Sequence, residues 1–148
     1  MERELRAGRQ AYVVSPSIDP SDEQQVPLRD LQTMENLLRS RFPEVPIAVV
    51  HGRLKGEEMA ARMQRFVSGE ARLLVATTVI EVGVDVPNAT VMVVDHAERF
   101  GLSQLHQLRG RVGRGRHASQ FILISSSETA RLEVLCATQD GFKIAQKD

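Results

Sequence analysis

Ser103-Gln104-Leu105-His106-Gln107-Leu108-Arg109-Gly110-Arg111-Val112-Gly113-Arg114-Gly115 is the stretch that decides how this chain is read. With Ser103 as N-cap, the spacing predicts a helix over 104–114. At about 100° per residue, Gln107, Arg111 and Arg114 fall within about 60° of one another, while Leu105, Leu108 and Val112 take the opposite side. One side packs and the other presents two guanidiniums, the group that grips phosphate through paired, charge-assisted hydrogen bonds. Glycines at 110, 113 and 115 let an anion approach the backbone. In isolation a solvated basic helix end fits this run equally well. Its neighbourhood favours the functional reading: Arg99 to Ser127 holds five Arg and no Asp or Glu, inside a chain that balances nineteen basic against nineteen acidic residues. That is a local electrostatic footprint for an anionic partner.

Outward from this run, short apolar stretches alternate with helical periodicity. Residues 1–8 read as a charged helix closing at Gly8, followed by a strand at Ala11–Val14 and a loop over 15–27 expected to be flexible. Leu28, Leu31, Met34, Leu38 and Phe42 recur at helical spacing up to Pro43, and Ile47–Val50 is the second strand. A helix burying Met59, Met63, Phe66 and Val67 stops at Gly69; strands follow at Leu73–Ala76, Val91–Val94 and Phe121–Ile124. Ser125 to Ser127 with Glu128 can cap a last helix through Leu132, Leu135 and Cys136. Continuous apolar runs separated by helices are the pattern of a parallel sheet covered on both faces. The fold class is therefore α/β, doubly wound, in a single domain over 1–148. Ligands in such sheets sit at the carboxyl ends of the strands. His51-Gly52, Thr77-Thr78 and the segment feeding the Arg-rich helix are all expected there.

Composition excludes several classes. No run approaches the ~20 apolar residues of a membrane span, and the first residues lack the apolar core of a signal peptide. Cys136 is the single cysteine, which fits a reducing cytoplasm and a packing role. The sixteen Arg against three Lys follow genome composition more readily than function. There is no Gly-x-x-x-x-Gly-Lys-Ser/Thr loop and no Gly-x-Gly-x-x-Gly, so the chain cannot cradle a nucleotide by itself. His51, His96, His106 and His117 lack the spacing for zinc or a nucleophilic dyad; His96 and His117 are expected to face solvent, and His106 to pack. Arginines for a triphosphate without a loop to hold it suggest half of a composite site, with an arginine finger reaching a nucleotide on another domain.

These residues carry a resemblance. Gln107 to Arg114 is similar to the Gln-x-x-Gly-Arg-x-x-Arg pattern of motif VI in superfamily 2 helicases and translocases, and Ala76-Thr77-Thr78-Val79-Ile80-Glu81-Val82-Gly83-Val84-Asp85-Val86-Pro87 to their motif V. With Val50 to Leu54 and Glu98 to His106, nearly everything from Gly8 to Asp148 resembles the second RecA-like lobe of the RecG family of branch-migration helicases. The Glu98 to Gln107 stretch is shared with the transcription-repair coupling translocase Mfd; Gly8 to Val14 and Asp140 to Asp148 favour RecG. The resemblance implies ATP and Mg²⁺ held mainly by a first lobe outside this chain, with Arg111 and Arg114 reaching the γ-phosphate and Gln107 orienting them. It implies Gly83 and Asp85 at the nucleotide edge, and His51, Gly52, Thr77 and Thr78 on the backbone of a branched DNA. The implied partners are that first lobe and a junction-recognition domain of the same polypeptide, in a bacterial cytoplasm. The implied cycle is a cleft that closes on ATP and opens after hydrolysis, so the chain alone is expected to have no ATPase activity. On the residues alone, Thr77 also fits a turn cap, Asp85-Val86-Pro87 an ordinary turn, and the whole chain a standalone anion-binding module. The tail from 140 is expected to be mobile.

Overall fold

The computed structural model describes residues 1–16, 28–77, 85–126 and 130–138, and the expectations for residues 17–27 and for the tail from 140 fall outside them. In chain order the elements are α1 (Glu2–Arg6), β1 (Gln10–Val14), α2 (Leu28–Arg41), β2 (Ile47–Val50), α3 (Gly56–Val67), β3 (Leu73–Ala76), β4 (Ala89–Val94), α4 (Leu102–Arg109), β5 (Gln120–Leu123) and α5 (Ala130–Ala137). The five strands form one parallel sheet in the order β2-β3-β1-β4-β5.

The sheet separates two cores, as expected of strands buried on both faces. Tyr12, Val14, Leu74, Met92 and Val94 face Phe66 of α3, Leu105 and Leu108 of α4, and Leu132 and Leu135 of α5. Ala11, Val13, Leu73, Val75 and Val91 face Leu5 of α1 and Leu31 and Leu38 of α2. Each fully buried Leu or Met contributes about 1.5–3 kcal/mol relative to exposure, so these stripes, rather than helix propensity, hold the short helices on the sheet.

Five expectations need correction. The Arg-rich helix starts two residues earlier, on Gly101 rather than on Ser103 as N-cap, and ends at Arg109 with Gly110 as C-cap. Val67 is exposed at 43% because Phe66, fully buried, takes the core side of the last turn of α3 and its neighbour points away. Cys136 is exposed rather than packed, since Leu132 and Leu135 already define the buried side of α5. The fifth strand is not covered on both faces: Ile122 and Ile124 are exposed, because β5 is the outermost strand and the α1/α2 core contains no β5 residue among those described. Ser15 and Pro16, read as the start of a loose loop, are instead buried, with the Ser15 N–H donating to the Ala76 carbonyl at 2.8 Å.

Candidate functional site

Parallel register aligns Val50, Ala76, Val14, Val94 and Leu123 across the sheet. The next residue of each strand therefore stands in one row at the carboxyl edge: His51, Thr77, Ser15, Asp95 and Ile124. Backbone bonds extend the ladder one step into this row, Thr77 N–H to Val50 O at 3.3 Å, Asp95 N–H to Val14 O at 2.8 Å and Ile124 N–H to Val94 O at 2.9 Å. His51 is half-buried, and its Nδ1 accepts the Arg53 N–H at 3.2 Å, which leaves Nε2–H as the outward donor of the neutral ring. Burial, then the Arg62 and Arg53 charges, push its pKa below the usual value, so the ring is neutral near pH 7. Gly52 is exposed, whereas Thr77 is only 1% exposed and its N–H is already used, which favours positioning over contact. Thr78 and Gly83 lie outside the described residues.

Asp95 leads into a polar corner of the same edge. His96 adopts a left-handed conformation (φ 51°, ψ 48°) and sits 3.7 Å from Asp95 Oδ2 and 3.6 Å from Glu98 Oε1, while Ser126 Oγ donates to Glu98 Oε1 at 2.9 Å. His96 is thus carboxylate-flanked rather than simply solvent-facing, whereas His117 is exposed as expected.

The arginines are elsewhere. α4 must return the chain from the end of β4 to the start of β5, so it runs back across the sheet and delivers Arg111 and Arg114 to the amino end of β4. The expected meeting at the carboxyl edge therefore holds for His51, Thr77 and the segment that feeds α4, but not for the arginines themselves. Nor do the arginines ride on a helix. Gly110 N–H is shared between the His106 and Gln107 carbonyls at 3.2 Å each, Arg111 N–H bonds Leu108 O at 2.9 Å, and Gly113 at φ +82° reverses the chain. Val112 remains buried as if the helix continued. Gly115 packs so tightly on the turn before β4 that a Cβ there would strike the Pro87 carbonyl. This contact joins the arginine turn to the Asp85–Pro87 segment.

One buried group senses all three charges. The Tyr12 phenol, stacked on Phe66 at 5.0 Å between ring centroids, has its pKa pushed up to about 12, chiefly by burial; Asp85 raises it further, while Arg111 and Arg114 pull it down. Asp85, Arg111 and Arg114 therefore all lie within electrostatic reach of one buried phenol, although twenty-six residues separate Asp85 from Arg111. Asp85 and Arg114 are exposed, Arg111 half-buried and Gln107 exposed on α4. Arg114 Nε donates to the Gly110 carbonyl at 2.6 Å, folding the side chain back on its own turn.

Two residues of this site were not legible in the sequence. Tyr12 is the chain's single tyrosine, set in an apolar strand, and that oddity was its signal. Arg109 carries no phosphate-facing role: its Nη1 donates to the Leu135 and Thr138 carbonyls at 2.6 and 3.0 Å, and Nη2 lies 3.0 Å from His106 Nδ1. It ties α4 to the end of α5 and gives His106 the packing role expected of it.

The charge set suits a phosphate rather than a metal. Two guanidiniums beside one carboxylate can hold the terminal oxygens of a polyphosphate, whereas no group of three His, Cys, Asp or Glu among the described residues could hold a cation. Among the described residues no helix is long and apolar enough to cross a membrane.

Comparison with known proteins fits this arrangement. The helicase conserved C-terminal domain matches residues 1–116. The chain is 47% identical over 152 residues to the ATP-dependent DNA helicase RecG of Synechocystis sp., covering 100% of this chain and 18% of that protein. It is 51% identical to RecG of Mycobacterium tuberculosis, covering 98% and 21%. Among solved structures, RecG bound to a three-way DNA junction superposes with a TM-score of 0.76 at 41% identity, over 97% of this chain and 19% of that one. The Mycobacterium smegmatis helicase Lhr shares the fold at 20% identity and a TM-score of 0.64, over 99% and 19%. The chain thus spans about a fifth of the length of the relatives it matches. The fold is RecA-like, and the chain belongs to the helicase conserved C-terminal domain family.

Proposed function

We propose that the chain is the second motor lobe of an ATP-dependent superfamily 2 DNA helicase that remodels branched DNA, in the manner of the RecG proteins it resembles. The observation that carries this reading is the packing of Gly115 on Pro87, which brings the Arg111/Arg114 turn to the Asp85–Pro87 segment in a lobe with no phosphate-binding loop of its own. Such a set completes a nucleotide site without forming one. Bound ATP, with Mg²⁺ on the first lobe, supplies a γ-phosphoryl group whose transfer develops charge. Arg111, half-buried and rooted by its backbone bond to Leu108, is placed to hold ground-state phosphate; Arg114 must first leave the Gly110 carbonyl and is suited to the developing charge. Gln107, one helical turn before Arg111, orients the pair, and Asp85 fixes the guanidiniums or meets the ribose, with Gly83 beside it in sequence.

The DNA grip is assigned to the carboxyl edge. His51 Nε2–H, the Gly52 backbone and the Thr78 hydroxyl would meet phosphate oxygens, contacts that position without reading sequence, with Thr77 holding the edge in place. The nucleotide and DNA sites then lie at opposite ends of the strands, linked by residues 77–85 on one side and by α4 on the other. Full-chain identity to RecG supports this family over the Mfd-like alternative, and membership of a helicase domain family leaves a standalone anion-binding module without support. The first lobe and a junction-recognition domain are its partners in the longer polypeptide, and the bacterial cytoplasm is its proposed location.

The test compares the 148-residue chain with the complete polypeptide that carries it. The complete protein should release phosphate from ATP with stimulation by a three-way junction, and the chain alone should release none above background. Turnover by the chain alone, or a complete protein indifferent to junction DNA, overturns the reading.

A further inference from the structure

Away from both sites, the start of β3 carries a guanidinium with nothing to hold. Arg72 Nε and Nη2 are buried and have no hydrogen-bond partner among the described residues. These two nitrogens share one edge of the guanidinium, the edge that takes two oxygens of one oxyanion side by side. Arg9 shows the same edge in use: its Nε donates to Glu4 Oε1 at 3.0 Å and its Nη2 to Glu4 Oε2 at 2.6 Å. Arg9 thus shows a filled fork and Arg72 one without a partner among the described residues.

Arg72 lines a pocket at the amino end of the sheet with Arg6, Arg41, Glu2, Glu44 and Phe42. Glu2 is engaged by both Arg6 at 2.7 Å and Arg41 at 2.9 Å, and the Arg41 guanidinium lies over the Phe42 ring, 5.7 Å from its centroid. Glu44 is exposed. Three guanidiniums against two carboxylates leave the wall net positive, and the carboxylate nearest to both other arginines is already shared between them. A buried charged donor pair without acceptors is costly in any fold, and a ligand of opposite charge is the ordinary reason for one to persist. Residues 42–45, which line the pocket, belong to the connection between α2 and β2; the Arg72 and Leu73 N–H groups donate to the Pro46 carbonyl at 2.9 and 3.3 Å and tie that connection to β3, so an anion reaches the buried edge by displacing side chains of 42–45 rather than the backbone at Pro46.

We propose that this pocket binds an oxyanion, a carboxylate or a phosphate, on the Nε/Nη2 edge of Arg72, independently of the nucleotide and DNA sites. The test is a titration of the ¹⁵N-labelled 148-residue chain with sodium phosphate and with sodium acetate, against sodium chloride at matched ionic strength, following the Arg72 Nε–H resonance. Phosphate or acetate should shift that resonance saturably and chloride should not. Tighter binding of phosphate identifies a free or nucleic-acid phosphate as the source, and tighter binding of acetate a carboxylate side chain of another segment. Arg72→Lys, which cannot offer the paired edge, should weaken binding about tenfold. Arg72→Met should melt no lower than the parent in chloride, because it removes an unpaired charge, and should lose the parent's rise in melting temperature with the preferred anion. An Arg72 resonance that neither anion moves overturns the proposal. So does one that moves in Glu44→Gln but not with anions, since Glu44 would then close the fork from within the chain.

Discussion

The two ends of the sheet are built by different means. At the carboxyl edge, His51, Thr77, Ser15, Asp95 and Ile124 are aligned by strand register, so their relative positions follow from ladder hydrogen bonds. At the amino end, Arg111 and Arg114 stand on a turn whose place depends on three glycines and on one contact, Gly115 against Pro87. An edge set by register is hard to move without unpairing strands. A turn set by glycines shifts at modest cost, since few backbone bonds fix it. On the proposed function this division is useful: a grip on DNA phosphate gains from a fixed row, while an arginine that must leave Gly110 to reach a phosphoryl group gains from a movable turn.

The largest effect that could break this contrast lies in Arg114. In the complete two-lobed protein, Arg114→Ala should lower ATP turnover by about 10³ to 10⁵ while leaving ATP and DNA affinity largely intact, because an arginine finger acts on charge that develops in the transition state. The residue is exposed and bonded only to its own turn through Nε among the contacts described, so truncation should leave the melting temperature nearly unchanged. Arg111→Ala should match it in turnover but also weaken ATP binding, given its rooted, half-buried position. Turnover of Arg114→Ala within about threefold of the parent would remove the amino-end turn from catalysis.

A second substitution tests whether the Pro87 contact places that turn. Gly115→Ala forces a methyl into the Pro87 carbonyl and should cost about 1–3 kcal/mol of stability, as overpacking does. Turnover should fall with DNA affinity unchanged, because no carboxyl-edge residue touches Gly115. Equal losses in both would mean that the two ends are not mechanically separate. At the carboxyl edge the effects should be smaller and of another kind. His51→Ala should weaken DNA binding roughly fivefold to tenfold, about the worth of one hydrogen bond, without changing the salt dependence, because the ring is neutral near pH 7. Arg53→Ala should lower the log-log salt slope by about one unit. A unit loss of slope in His51→Ala would show a charged ring.

Sequence and structure agree where apolar runs are continuous. Ile47–Val50 and Leu73–Ala76 match their strands residue for residue, because four consecutive apolar side chains fit a parallel strand covered on both faces. The helix over 104–114 failed for a reason visible in Val112. Its burial keeps the Leu105/Leu108/Val112 period intact after the backbone has left the helix at Gly110, so periodicity counted a turn as helix. The candidate site was half legible for a related reason: residue types and spacing marked the arginines as phosphate groups, but only the crossover direction of α4 shows which end of the strands receives them. The electrostatic link of Tyr12 to Asp85 could not have been read from local pattern, since it joins β1 to a segment more than seventy residues away.

The smallest effect sharpens the picture of the amino end, where α1 is attached by charge. Glu4 accepts both donors of the Arg9 fork, and this pairing holds its pKa down to about 2. A carboxyl group with a folded pKa below its unfolded value, near 4.5, stabilises the protein fully above that value and progressively less as pH falls toward about 2. The Glu4 and Arg9 side chains are 15% and 20% exposed, so solvent screens the pair and the gain is modest. Glu4→Gln should therefore melt slightly below the parent at neutral pH, and the gap should close between about pH 4.5 and pH 2 as the parent's carboxylate takes up its proton. The same variant should leave ATP turnover and DNA affinity untouched, since α1 packs through Leu5 on the core opposite to α3, α4 and α5. A gap that stays constant down to pH 2 would mean that the Arg9 fork holds α1 by shape rather than by charge, and the pairing that Arg72 lacks would then count for little in Arg9 as well.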